Sequence, residues 1–478
     1  MKKFFLICFL FMPCFPALAS DIEEIVVTAD LTAKKEKHIT SSVFIVSKET
    51  ITSRGAQHFE DIVNTIPNLN FASGSNRARF FQIRGVGERS QFASPINSSV
   101  AFLLDQIDFS GAATIASTLD IDQIEVLRGP QGTRYGASAL GGLIKVKTKD
   151  PNTASNLEIK ITQGNYANQS YSFILNSPIT EQLLFRGAFQ KHRSDGYMSN
   201  RFLDREDTNG RNETTSRIKL RWLLEDYWTM DFSIGKIDIR NGYDAFSLDN
   251  TRTTLSDQPG FDQQNSEHLS LKSAWTGKNY GLTAILSLAN SDIDYGFDED
   301  WSFLGIHPFG YRSTDHYFRA RKTRSAEIRV NSLSEYGWVA GLFFFDSREN
   351  LERNYTFLTN NFLSSYDFKT YALFGEAESE FWFGTNISAG VRLERRETTY
   401  QNSDAANFSP AETLWGGEVG VKREFGTNFI GYTSIARGFK AGGFNTDGTL
   451  DKDLREFDGE YLIEYEAGIK GRFDEKNI

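Results

Sequence analysis

From residue 156 onward the chain repeats a single pattern, in which apolar residues alternate with charged or polar ones at a period of two. Leu157-Glu158-Ile159-Lys160-Ile161-Thr162 and Ile218-Lys219-Leu220-Arg221-Trp222 both obey it. So do Trp228-Thr229-Met230-Asp231-Phe232-Ser233-Ile234, Ala326-Glu327-Ile328-Arg329-Val330-Asn331 and Ile387-Ser388-Ala389-Gly390-Val391-Arg392-Leu393-Glu394. Successive side chains of a strand point to opposite faces, so each segment has one apolar face and one wet face. A soluble sandwich covers the apolar face with a second sheet, whereas an outer-membrane barrel turns it to lipid and keeps charge inside. Only every second residue must then be apolar, so a mean hydropathy of -0.40 is compatible with a membrane wall.

The connections separate these two architectures. Short links at residues 176–182, 224–227, 276–280, 333–336, 383–386 and 424–428 alternate with long polar stretches at 191–214, 240–267, 292–323, 346–369, 395–411 and 438–459. A membrane barrel keeps this rhythm, because its periplasmic ends are tight turns and its outer ends carry long loops. The pattern predicts a membrane all-β fold, a transmembrane antiparallel β-barrel over residues 152–478. About fourteen strands are expected, the first starting at Leu157 and the last running through residues 465–472.

Composition narrows the function classes. Apolar residues make up 40% and charged residues 24%, too balanced for a disordered acidic chain. No run beyond the first twenty residues reaches the roughly 20 apolar residues of a spanning helix. A net charge of -10 argues against nucleic acid as a partner. At the N-terminus Met1-Lys2-Lys3, the apolar run from Phe4 to Met12 and Ala17-Leu18-Ala19 predict a secretory signal peptide over residues 1–19. Both cysteines, Cys8 and Cys14, lie within it. Cleavage would leave a chain without disulfides, thiolate metal sites or a cysteine nucleophile, and with a net charge of -12 once Lys2 and Lys3 are gone.

Residues 36–151 have short, mixed, Gly-punctuated elements. A helix is expected at residues 60–67, stopped at Pro67, and strands at 80–85, 100–105 and 124–128. This reads as a compact α+β domain ahead of the barrel.

Three stretches resemble the outer-membrane TonB-dependent receptors. Glu24-Ile25-Val26-Val27-Thr28-Ala29 looks like a TonB box, within a linker over residues 20–35. Ile124-Glu125-Val126-Leu127-Arg128-Gly129-Pro130-Gln131-Gly132, continuing through Tyr135-Gly136, Gly141-Gly142-Leu143-Ile144 and Thr148-Lys149, is similar to the family's plug signature. Ser434-Ile435-Ala436-Arg437-Gly438-Phe439-Lys440-Ala441-Gly442-Gly443-Phe444-Asn445 and Tyr465-Glu466-Ala467-Gly468-Ile469-Lys470 resemble its barrel strands. The resemblance implies an N-terminal plug seated in a 22-stranded barrel, of which about eight C-terminal strands are expected to be missing from this sequence.

The resemblance also implies the roles of particular residues. Glu24, Ile25, Val26, Val27, Thr28 and Ala29 would add as a strand to TonB, the partner powered by an inner-membrane complex. Arg84 and Arg128 are expected to reach the barrel wall and meet carboxylates such as Glu376 and Glu466. Arg77, Arg79, Arg89 and Phe92, on plug loops expected to face outward, would offer cations and an aromatic face to an anionic ligand. Tyr197, Trp301, His307, Tyr311, Arg312 and His316 add polar and aromatic groups on the barrel's long loops. The implied function is capture of a ferric siderophore in the Gram-negative outer membrane and its import with energy passed on by TonB. A glycan, cobalamin or heme as ligand, or a passive channel or surface binding protein, are the alternatives. No nucleophile elbow, zinc spacing or phosphate-loop Lys appears, so neither an enzyme nor a cofactor is expected.

Overall fold

The computed structural model describes residues 26–27, 34–35, 39–72, 77–88, 97–113, 117–334, 337–426, 429–445 and 455–471. The wall is one antiparallel sheet. Its fourteen main strands are β8 (Asn156–Gly164), β9 (Asn168–Pro178), β10 (Leu183–Ser194), β11 (Arg211–Glu225), β12 (Trp228–Tyr243), β13 (Gly260–Thr276) and β14 (Tyr280–Asp298), followed by β15 (Thr314–Ser332), β16 (Trp338–Tyr355), β17 (Phe362–Trp382), β18 (Thr385–Asn402), β19 (Ala411–Phe425), β20 (Phe429–Lys440) and β21 (Glu460–Gly471). Each pairs with its sequence neighbours in one unbroken path, and the short strand Asn407–Phe408 pairs with β18. Among the described residues β8 and β21 are each paired on one side only.

The alternation places side chains as the period of two requires. Along β18, Val391, Leu393 and Arg395 are exposed on the outer surface, while Arg392, Glu394 and Arg396 are buried inside. Ile218, Ile234, Leu286, Leu342 and Leu373 share the outer face, and Arg217, Ser266 and Gln264 the inner one. Apolar residues are therefore outside and charge inside, the reverse of a soluble protein, and only a hydrocarbon surround makes that favourable. Exposed aromatics gather at the short-turn end: Trp228, Trp275, Tyr280, Trp338, Phe381, Trp382 and Phe425. Such rings settle at the membrane–water interface, which marks this end of the barrel as the periplasmic rim.

One expectation is corrected at the opposite end. Residues 292–323 and 346–369 read as long loops, yet β14, β15, β16 and β17 run 19, 19, 18 and 21 residues. A membrane crossing needs only about ten. The excess is paired hairpin that stands out beyond the apolar band. There the apolar side turns inward, where Tyr295, Phe297, Tyr317, Leu351 and Phe362 pack together, so the outer face loses its apolar residues while the backbone ladder continues.

The domain inside the wall is built on a five-stranded sheet. In space its order is β1 (Ser42–Ser47), β6 (Ile121–Arg128), β7 (Gly142–Thr148), β4 (Val100–Leu104) and β5 (Ile107–Asp108). β4 and β7 are parallel and the other pairs antiparallel. A separate hairpin, β2 (Leu69–Ala72) and β3 (Phe80–Ile83), lies beside it. The helix expected over residues 60–67 is a single turn, α2 (Glu60–Val63), after α1 (Lys48–Ser53). Asp61 accepts the backbone N–H groups of Gln57 and His58 at 2.9 and 3.0 Å, which starts α2, and Pro67 prevents its continuation. Phe59, Phe81 and Phe102 pack ring against ring in the core beside Val126 and Ile144. That core reaches the wall at Ile237, Ile239, Ala289 and Ile293, an apolar patch on the inner face.

Candidate functional site: the interface between plug and wall, and the outer mouth

Ion pairs between the inner domain and the wall ring the interface. Asp120, in the turn before β6, is held by Arg186 of β10 at 2.5 and 2.7 Å. Asp105 lies 3.2 Å from Lys219 of β11. Glu88 accepts from Lys440 of β20 at 2.9 Å and from the Ser99 hydroxyl at 2.6 Å. Arg134, on the short helix α3 (Gly132–Tyr135), is buried and donates to the largely covered Glu418 at 3.0 Å and Glu376 at 3.2 Å. The chain enters α3 through a groove floored by wall glycines. A Cβ on Gly438 would stand 2.7 Å from Pro130, one on Gly390 2.8 Å from Thr133, and one on Gly416 3.0 Å from Gly132. Small residues on three strands thus let the inner domain's backbone approach closely enough for Arg134 to reach both carboxylates.

The expected anchors and ligand residues can be placed one by one. Arg84, in the turn after β3 with φ at 52°, lies 2.9 Å from Glu464 and 3.0 Å from Glu466, in a partly exposed position. Arg128 is a correction. It donates to the Pro67 carbonyl at 3.3 Å rather than to a carboxylate, and burial together with nearby Arg84 pulls its pKa below the usual arginine value. Glu376 belongs to Arg134 instead, because α3 rather than β6 faces β17.

Arg77 and Arg79 are corrections too. Neither is presented to the outside. Arg77 is 1% exposed, paired with Glu60 at 2.6 Å and in contact with Glu213 and His58. Arg79 reaches Asp262 at 2.5 Å and lies 4.8 Å from the centre of the Tyr295 ring. Both point sideways from the inner domain into charged positions of β11 and β13, so they fasten it to the wall. Arg89 and Phe92 lie outside the described residues, as do Glu24, Ile25, Thr28 and Ala29. Val26 and Val27 pair with Lys35 and Lys34, and Val27 is buried with Ile39, Leu103, Leu127 and Leu143.

At the outer end two aromatic–arginine clusters line the mouth. Tyr295 and Tyr317 stack at 4.8 Å with parallel rings. Arg353 lies 5.1 Å from the Tyr317 ring and is held by Asp315 at 2.7 and 2.9 Å. Arg319, 5.7 Å from the same ring, has Nε and Nη2 buried without a hydrogen bond. In the second cluster Arg396 sits 3.6 Å above Phe368 and donates to Asn97 at 2.6 Å and Tyr366 at 3.1 Å, next to stacked Tyr400, Phe408 and Phe444. Buried guanidinium donors beside ring faces suit an oxygen-rich anion that carries planar groups. No motif in the sequence singles these residues out. Their only signal is the run Tyr317, Arg319, Arg321 at a period of two, which puts all three on the wet face. Of the loop residues singled out, Trp301 stacks on Phe246, His307 meets Tyr311, and Arg312 pairs with Asp257 at 3.1 Å. Tyr197 is exposed beside Arg252, and His316 lies within β15 against Phe261.

Among the described residues no group of three or more His, Cys, Asp or Glu is placed to hold a metal ion.

The family described as TonB-dependent Receptor Plug Domain matches residues 35–143. The pesticin receptor of Yersinia enterocolitica is 24% identical over 469 residues, covering 93% of this chain and 68% of that protein. The ferric enterobactin receptor of Pseudomonas aeruginosa is 29% identical over 326 residues, 63% of this chain and 41% of that protein. Among solved structures, the ferric yersiniabactin uptake receptor FyuA from Yersinia pestis superposes with a TM-score of 0.79 at 22% identity, over 91% of this chain and 70% of its own. The siderophore receptor PiuA from Acinetobacter baumannii does so with a TM-score of 0.75 at 15% identity, over 92% and 71%.

Proposed function

We infer that this chain, which belongs to the TonB-dependent receptor family, is an outer-membrane receptor that captures a ferric siderophore at its outer mouth and passes it inward when TonB disturbs the plug. The observation that carries the reading is a plug held inside a membrane wall by buried, directional ion pairs. Such pairs add little net stability but fix one geometry, because each charge is costly to strand and cheap to keep paired. A passive pore has no use for an obstruction fastened in this way. An energised one needs an obstruction that is stable at rest and yields to a pull.

Support for the coupling comes from Val27. It shares an apolar cluster with Leu103 of β4, Leu127 of β6 and Leu143 of β7, so tension on the N-terminal segment would act on the central sheet. The stretch Glu24, Ile25, Val26, Val27, Thr28, Ala29 is the segment we assign to TonB. Support for the ligand class comes from the curated relatives, named as receptors for pesticin and ferric enterobactin, and from the outer arginine–tyrosine clusters, which offer donors and ring faces to an anionic chelate.

The test is uptake of radio-iron chelates, with ferric enterobactin and ferric yersiniabactin as probes, in cells whose own receptors are deleted. Cell-surface binding with and without TonB, and accumulation only with it, is the expected result. Equal accumulation in the absence of TonB would make the protein a passive channel.

A further inference from the structure

A cavity of about 390 Å³ lies between the plug sheet and the wall, in the periplasmic half of the barrel. Its roof is the plug face carrying Asp105, Gln106 and Lys145. Its sides are inward positions near the short-turn ends of β12, β13, β15 and β16. It is separate from the outer clusters, and nothing in the receptor reading accounts for it.

Most of the carboxylates around this space are already engaged. Asp105 is bonded by the Thr148 backbone N–H at 2.9 Å and the Thr148 hydroxyl at 2.7 Å, with Lys219 beside it. Asp150 is held by Lys219 at 3.2 Å and Arg221 at 3.0 Å. Arg221 also takes Asp231, at 2.6 Å. Glu327 lies 3.2 Å from Arg329, which balances its charge although its Oε1 makes no hydrogen bond, and Asp108 accepts the Ser110 N–H at 2.7 Å. The donors are not all engaged. Among the described residues Lys272 has no carboxylate within ion-pair distance, and Gln106, Ser233 and Ser270 make no hydrogen bond through their side chains. Ser233 and Ser270 face each other across β12 and β13 and are 8% and 4% exposed. Arg329 and Lys145 add positive charge nearby; burial and those neighbouring cations lower the Lys145 pKa to about 8.

A partly open space of mixed lining, whose spare groups are an ammonium, an amide and two hydroxyls, favours a solute that carries acceptors. We propose that this chamber is a second solute site, holding a small oxygen-rich anion between plug and wall on the periplasmic side of the plug sheet. As a waypoint for cargo it rests on the receptor reading; as an anion site it rests on these residues alone. Lys272 provides the charge, while Ser233, Ser270 and Gln106 orient the bound oxygens.

The experiment uses the full chain in lipid vesicles with Cys8→Ser and Cys14→Ser, which leaves no other thiol. Ser270→Cys is the reporter, and Ser233→Cys is a second one should the first fail to fold. Each is modified with an anionic and a cationic methanethiosulfonate reagent, and rates are normalised to those on a free thiol. The anionic reagent is expected to react at least about tenfold faster, since spare positive charge in a cleft concentrates counter-ions by that order. Lys272→Gln should cut the preference severalfold. No preference, a cationic preference, or no reaction with either reagent at both reporters would overturn the proposal. Because the assay reads charge selection only, it can fail while TonB-dependent uptake stands, and succeed while uptake fails.

Discussion

Replacing Arg134 with alanine isolates the strongest single fastening between plug and wall. The guanidinium is 4% exposed, and its partners Glu376 and Glu418 are 8% and 10% exposed in their side chains. Without Arg134 two carboxylates face each other in a space that water reaches poorly. Breaking a buried pair by removing one partner costs about 3–5 kcal/mol, mostly through the charge left behind. One kcal/mol would be the scale if the pair behaved as an exposed one. The change acts on docking of α3 rather than on the barrel, so hydrogen exchange at residues 132–138 is the appropriate assay. At about 1.4 kcal/mol per factor of ten, exchange there should speed up by roughly two to three and a half orders of magnitude, while protection in β12–β15 is unchanged. Adding Glu376→Gln and Glu418→Gln should restore most of the protection, because neutral amides leave no stranded charge. An increase below about tenfold, or no restoration by the amides, would refute the reasoning that a buried charge network holds the plug in place.

Other outcomes follow from the same interface. Arg84→Ala removes a pair that is one-third exposed on the arginine side, so the plug's opening free energy should fall by less than about 1 kcal/mol in the same exchange assay. Gly438→Ala puts a methyl 2.7 Å from Pro130 and should cost about 1–3 kcal/mol through overpacking, read as loss of protection over residues 130–135. His58 is fully buried, and burial first, then Arg77, Arg211 and His192, holds its pKa well below 6.5. Above pH 6.5 it is neutral whether the plug is docked or free. Below that, only the free state takes the proton, so plug stability should fall with pH by up to about 1.4 kcal/mol per unit, and His58→Gln should reduce the slope.

Much of the wall was legible in the sequence, because lipid on one side and water on the other force a period of two that only short turns interrupt. The fourteen segments expected from Leu157 onward correspond to β8–β21. The hairpins above the membrane were not legible, since the ends of β14 and β15, paired as far as Asp298 with Thr314, turn their apolar residues Tyr295, Phe297 and Tyr317 inward and leave no apolar outer face to mark them as wall. The plug's strands could be placed from short apolar runs, but its anchors could not. Alternation says that Glu213, Asp262, Glu376 and Glu418 point inward; which arginine each one meets depends on how the plug is rotated inside the wall, and that is set by three-dimensional packing. Arg77 and Arg79 show the consequence. Their loop position suggested exposure, whereas the plug's orientation drives them sideways into β11 and β13.

The whole account requires the apolar face of the wall to touch hydrocarbon. Single cysteines at positions 391 to 394 of β18, each carrying a fluorophore and examined in vesicles of brominated lipid, test this directly. Strong quenching at positions 391 and 393 with weak quenching at 392 and 394 is the predicted result. Uniform quenching, the opposite phase, or a chain that stays monomeric in water without detergent would contradict it.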